Sequence, residues 1–258
     1  MIYFGKKKIL KTNIDLCDYD FVVSKIIESD RKNKKLLVFP LATHTLVAAY
    51  FNKKLQKILD SYSILTPDSQ WVKWSFNWIY GINLKERVYG PDLMIRVLEK
   101  AEKNKITVFL YGTNLVTLRK LRHEIKKKNP KIQLIFEPAP YKKLSLKEQK
   151  ELIKKINKNR AKIIFIALSS PDQVMLAKGL SDLNTKNSIF IPVGAAFDFL
   201  SKVKKQAPKW MRNTGLEWLY RLINEPTRLW KRYLIYGVSF FVLIFFQKIK
   251  MFINNKNQ

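Results

Sequence analysis

Through its first two hundred or so residues the chain repeats one rhythm, and that rhythm limits the possible folds more than any other feature. A short run rich in Val, Ile, Leu and Phe gives way to a turn and then to a longer amphipathic segment. KLLVFPL, YSILTP, ITVFLYG, IQLIFEP, KIIFIAL and SIFIPVG read as strands. HTLVAAYFNKKLQKILD, NLVTLRKLRHEIKKKN and SLKEQKELIKKINKNR, between them, have helical apolar spacing. Strands separated by helices pair in parallel, and the crossover helices cover the faces of the sheet. The expectation is an α/β fold with a mostly parallel sheet flanked by helices. Ligands of such sheets bind beyond the carboxyl ends of the strands, so the residues just after each strand carry the candidate chemistry.

The rhythm stops near Asp198. From Phe199 onward there are twelve Lys and Arg against only Glu217 and Glu225, and Trp210, Trp218 and Trp230 make up three of the six tryptophans. Pro208 and Pro226 punctuate this tail into a few helices. After Pro226, the i, i+3, i+4 spacing of Arg228, Lys231 and Arg232 puts them on one helical face. The division expected is an α/β core with a Rossmann-like sheet over 1–198 and a basic, aromatic, helical appendage over 199–258.

The whole chain carries a net charge of +29, which calls for an anionic partner. Tyr233 to Phe246 is a run of fourteen uncharged residues, flanked by Lys231, Arg232, Lys248 and Lys250, and the apolar character continues to residue 253. A bilayer span takes about 20 apolar residues. The shorter run reads as a helix lying in, or dipping into, one leaflet, with a short span and a buried core helix as the alternatives. GLEWLYRLINEPTRLWKRYL, just before it, interleaves aromatics with cations. An anionic membrane interface accommodates both. Nucleic acid would also accept aromatics and cations, but gives no reason for the uncharged run.

Among the residues after the strands, Asp68 in TPDSQW has two readings. It caps the next helix, or it is a general base at the ligand edge of the sheet. Backbone N–H bonds would lower its basicity. Trp71, Trp74 and Trp78 follow as one aromatic stripe, either core packing or the wall of a groove. Gln173 in SSPDQV falls in a first helical turn, where its amide can reach a ligand. Gly194 in PVGAAFDF permits close backbone approach. DYD at Asp18 to Asp20 reads as a helix cap rather than a metal motif. No phosphate-binding glycine loop occurs. With His44 and His123 the only histidines and Cys17 the only cysteine, a histidine- or cysteine-built metal site is not expected and a disulfide within the chain is excluded. MIYFGKKKIL does not read as a secretory signal.

These strand-end segments and the tail together resemble the WecG/TagA/CpsF family of bacterial glycosyltransferases, from about Leu36 to Leu234. APKWMRNTGLEWLYRLINEPTRLWKRYL carries the resemblance most specifically. TPDSQW, RVYGPDLM, LSSPDQV and VGAAFDF resemble further blocks. The resemblance implies inverting, metal-independent transfer of an N-acetylated hexosamine, of N-acetylmannosamine type, from a UDP donor. The implied acceptor is an undecaprenyl-diphosphate-linked sugar at the cytoplasmic face of the membrane, in the synthesis of a cell-surface or teichoic-acid-type polymer. No cofactor is implied. By the same resemblance Asp68 is the base, Gln173 contacts sugar, Arg87 belongs to the active-site block, and Gly194 and Asp198 lie in a substrate-binding segment. Arg221, Arg228 and Lys231 hold diphosphate.

The chain departs from the family pattern at three places. Where the family has Thr and Asn after a strand, PLATHT offers Thr43 and His44. Val174 replaces a glutamate, and Ser69 replaces a glycine. These departures motivate one alternative, a membrane-bound relative without catalysis; the charge motivates another, a nucleic-acid-binding protein.

Overall fold

The computed structural model describes residues 1–256. An antiparallel hairpin of β1 (Tyr3–Ile9) and β2 (Thr12–Cys17) leads into α1 (Tyr19–Arg31). There follow β3 (Leu36–Leu41), α2 (Thr43–Phe51), α3 (Lys53–Asp60), β4 (Ile64–Pro67), α4 (Gln70–Tyr80) and α5 (Gly90–Lys103). Next come β5 (Val108–Gly112), α6 (Leu115–Lys128), β6 (Leu134–Glu137), α7 (Leu146–Lys158), β7 (Ile163–Ala167), α8 (Asp172–Leu183) and β8 (Ile189–Pro192). The tail holds α9 (Ala196–Leu200), α10 (Lys209–Asn213), α11 (Glu217–Asn224), α12 (Pro226–Trp230), one π-helical turn (Lys231–Ile235) and α13 (Tyr236–Lys256).

The six expected strands form one parallel sheet in the order β4-β3-β8-β7-β5-β6. Both faces are covered, which explains the near-continuous apolar runs. Successive residues alternate between two cores: Val38, Ile163 and Phe165 point into one, and Phe39, Ile164 and Ile166 into the other. At the carboxyl edge, Gly112 has φ +139° and a Cβ there would stand 2.3 Å from the Ala167 carbonyl oxygen, so only glycine fits between β5 and β7.

Three local readings change. HTLVAAYFNKKLQKILD is two helices, because Asn52 turns extended and its side chain accepts the Leu55 N–H, capping α3. The β1–β2 hairpin went unread because three consecutive lysines hide its alternation. Asp68 does not cap α4; Ser69 does, accepting the Val72 N–H at 3.2 Å. Asp18 caps α1 through the Phe21 N–H.

The tail docks on the core. Phe240 and Ile244 of α13, one turn apart, are buried with the α2 and α4 side chains, each contributing about 1.5–3 kcal/mol. The Gln247 amide accepts the Leu10 N–H at 2.7 Å and donates to the Lys8 carbonyl at 2.9 Å, pinning α13 to the hairpin. The tryptophan stripe is the seat of the tail, and Trp71 also packs against the core and lines a space beside Asp68. Trp71 meets Phe241, Trp78 stacks on Phe245, and Trp74 lies under Gly215. Val238, Val242 and Phe246 of α13 are exposed, and Phe241 and Phe245, beside the tryptophans, stay about half exposed. The helical run Pro226–Asn254 is long and apolar enough to cross a membrane.

Candidate active site

Asp68 follows β4 directly and is partly buried at the carboxyl edge of the sheet. Its Oδ1 accepts the Gly90 N–H at the start of α5, at 2.9 Å. Its backbone carbonyl accepts from Arg87 at 3.0 Å. Oδ2 has no hydrogen-bond partner among the described residues. Burial pushes the carboxyl up to about 6, against the pull of Arg87 and the Gly90 N–H. A carboxylate with that pKa takes a proton near neutral pH far better than an exposed aspartate.

The tail supplies a second carboxylate in a different state. Glu217 opens α11 and receives Arg87 at 2.6 Å and the Tyr89 hydroxyl at 2.8 Å. Burial opposes its charge, but the Arg87 cation and these hydrogen bonds keep it below the usual carboxylate range. Glu217 therefore stays ionised and occupied, leaving Asp68 as the carboxylate free to accept a proton.

Around this pair the tail gathers cations in excess of their counter-charges. Arg221 is partly buried and its Nε has no hydrogen-bond partner among the described residues. Arg228 shares Glu225 with Lys204, both at 2.7 Å. Arg232, in the π-helical turn, forms no salt bridge among the described residues. Burial, then Arg221 and Arg228, push its guanidinium down to about 10, so it remains charged at neutral pH. Cations crowded together with too few anions make a receptor for phosphate oxygens, which guanidinium forks fit. The same burial, with Arg232 and Arg221, holds His44 well below its usual value and therefore neutral.

A cleft of about 1160 Å³ runs along this edge, and a second cavity of about 70 Å³ adjoins it. His44, Asp68, Glu217, Arg221 and Arg232 line both. The cleft also takes in Gln173, Gly194, Asp198, Arg228 and Lys231, while Thr43 and Arg87 line the smaller space. All ten residues singled out in the sequence thus converge from distant segments on two touching cavities. Glu217, Tyr89 and Arg232 were not singled out. Arg232 had a readable signal, its shared face with Arg228; Glu217 had only its rarity as an acid in a basic tail.

Several of these side chains are already engaged. Gln173 Oε1 accepts the Gly194 N–H at 2.9 Å and its Nε2 donates to the Ser170 hydroxyl at 2.8 Å, tying two strand-end turns together. Gly194 adopts φ +54°, a left-handed conformation suited to glycine. Asp198 faces Lys204 at 3.5 Å. Ser69 caps α4 and bonds the Thr43 hydroxyl at 2.6 Å, so this departure from the family pattern has a structural use. Val174 is fully buried in the core and does not enter the site.

Comparison with known proteins gives the family. The model of the "Glycosyl transferase WecG/TagA/CpsF family" matches residues 7–253, core and tail alike. The chain belongs to this family of glycosyltransferases. Among curated WecG/TagA/CpsF-like relatives, an N-acetylglucosaminyldiphosphoundecaprenol N-acetyl-beta-D-mannosaminyltransferase of Bacillus spizizenii is 30% identical over 71% of this chain and 68% of its own. A protein of the same name from Bacillus subtilis is 30% identical over 72% of this chain and 70% of its own. The chain is thus a glycosyltransferase with a parallel α/β core, of a family whose relatives act on a lipid-linked acceptor.

Proposed function

We propose that the protein moves an N-acetylated hexosamine, of N-acetylmannosamine type, from a UDP donor to a sugar on undecaprenyl diphosphate, with inversion and without a metal. The observation that carries this reading is Asp68, with a raised pKa and an oxygen without a hydrogen-bond partner among the described residues, beside a cluster of cations that outnumbers its anions. The acceptor hydroxyl attacks the anomeric carbon as the bond from that carbon to the UDP oxygen breaks. The hydroxyl proton goes to Asp68 Oδ2, and the electron pair leaves with UDP. Arg221, Arg228, Lys231 and Arg232 offset the charge developing on the diphosphate, the task a divalent cation performs elsewhere. Gln173, Gly194 and Asp198 border the donor side, with Thr43, His44 and Arg87 around the base.

The activity of the two Bacillus relatives supports the choice of donor sugar and acceptor. The exposed face of α13 and the cationic tail support action at the cytoplasmic membrane face, with α13 in one leaflet. The test is a screen of UDP-sugars with an undecaprenyl-diphosphate-linked N-acetylglucosamine acceptor, with and without EDTA. Transfer from UDP-N-acetylmannosamine that survives EDTA is the expected result. No transfer from any donor would favour a relative without catalysis.

A further inference from the structure

Asp68 lines two unlike spaces. The broad cleft is bordered by polar and glycine-rich strand-end loops. The small cavity that Asp68 also lines is walled by Trp71 of α4, Trp218 of α11 and Tyr233 of the π-helical turn. These rings belong to a row. Tyr233 lies 6.2 Å from Trp218, Trp218 lies 5.8 Å from Trp71, and Trp71 lies 4.9 Å from Phe241. Phe241 is 51% exposed on α13. Aromatic surface therefore runs from beside the base to the apolar face of the chain. Thr43, Ser69 and Gln70 give the inner end polar edges, and Arg221 and Arg232 reach both spaces.

We propose that this aromatic slot is the subsite for the lipid-linked acceptor, an assignment that rests on the function proposed above. The acceptor sugar lies against Trp71 and Trp218 with its hydroxyl toward Asp68. The first part of the lipid leaves along Phe241 onto α13, while Arg221 and Arg232, which line both spaces, stay with the departing UDP. Pyranose faces carry C–H groups that pack on aromatic rings, as apolar groups do. The space is much smaller than the cleft, which leaves the nucleotide sugar to the cleft. Displacement with inversion needs nucleophile and leaving group on opposite sides of the carbon attacked. Asp68 lines both cavities, one donor-sized and one leading to an apolar surface, so it can serve an acceptor that approaches from the slot while UDP leaves into the cleft.

The test uses the full chain in detergent with a short-chain isoprenoid-diphosphate N-acetylglucosamine. Trp71→Leu and Trp218→Leu are expected to raise the KM for this acceptor up to about tenfold each, given the usual worth of an aromatic contact, while the donor KM stays within about twofold. A rise in donor KM alone, or no change in either, overturns the assignment. A second measurement covers the case in which the variants do not fold. A diazirine on the acceptor's N-acyl group, photolysed on the unaltered protein, should label peptides within 69–80 or 215–236. Labelling within 138–144 or 169–176, or none above an unreactive-lipid control, overturns it. An unaltered protein that labels as expected yet transfers from no UDP donor would defeat the function reading alone.

Discussion

Arg87 and Glu217 meet at 2.6 Å across the junction of core and tail, each side chain only 12% exposed. The pair does two jobs. Through Arg87 it holds the Asp68 backbone, and through Glu217 it fixes the first turn of α11. Docking of the tail and placement of the base are therefore one event. Glu217→Gln removes the charge that answers Arg87 inside a poorly solvated site. The expected cost is about 2–4 kcal/mol, read as a lower midpoint in urea unfolding. Limited proteolysis between residues 201 and 216 should accelerate as α11 loosens.

Asp68→Asn separates chemistry from folding. Asn keeps an acceptor for the Gly90 N–H but cannot serve as a base, so kcat should fall by about 10²–10⁴. Stability should move the other way. The folded-state pKa of Asp68 is raised to about 6 from 3.8, so its ionisation disfavours the folded state, and the stability present at low pH is lost as pH rises from about 4 through about 6. The Asn variant should be more stable than the parent at pH 8 by about 1–3 kcal/mol and gain little at pH 4. A variant that is weaker at both pH values, or fully active, removes Asp68 from the proposed role.

The same carboxyl sets a pH limit on catalysis. If Asp68 takes the acceptor proton, kcat/KM should be level above about pH 7 and fall about tenfold per unit below pH 6. Glu217, held below the usual carboxylate range, stays ionised through that window and should not add a second limb there. A profile level to pH 5, with the protein still folded, would assign the proton to another group.

Gly215 provides a narrower test of the tail's seat. It adopts φ +74°, and a Cβ would fall 2.5 Å from the Trp74 ring. Gly215→Ala meets both backbone strain and a clash, so it should cost about 1–3 kcal/mol. Because Gly215 lies two residues before Glu217, acceptor KM should rise as well. Trp74→Ala in the same chain should restore part of the loss, since it removes the obstacle but not the strain.

What was legible in the sequence follows from what is local. The six strands announced themselves because a sheet covered on both faces needs continuous apolar runs, and their order placed Asp68, Gln173 and Gly194 at one edge. The Asn52 break was hidden because the apolar spacing continues across it and only the capping side chain interrupts the backbone. Asp68 as a cap was a fair local reading that lost to Ser69 and to the Gly90 N–H, a partner 22 positions away. Glu217 acts through neighbours brought in by tertiary docking, and no spacing in the chain reports that; for Arg232 the spacing reports only the face it shares with Arg228. The tryptophan stripe looked like core because core and docking seat need the same side chains; only the partner, α13, tells them apart.

Removing the tail tests the whole arrangement. A chain ending before Pro208 keeps every strand of the sheet and all of α1–α9, and should retain its circular-dichroism signature and bind UDP in the cleft. It loses Arg221, Arg228, Lys231 and Arg232, and with them the charge that offsets the departing diphosphate. It also loses Glu217, so Arg87 is left without its buried counter-charge. Removing Phe240 and Ile244 uncovers apolar surface on α2 and α4, so the cut chain should unfold at lower urea and associate with itself more readily. Transfer to a lipid-linked acceptor should fall to background, and so should flotation with anionic liposomes. If the cut chain transfers sugar at the parent rate, the cations and the lipid-facing helix are dispensable, and the mechanism built on them is wrong.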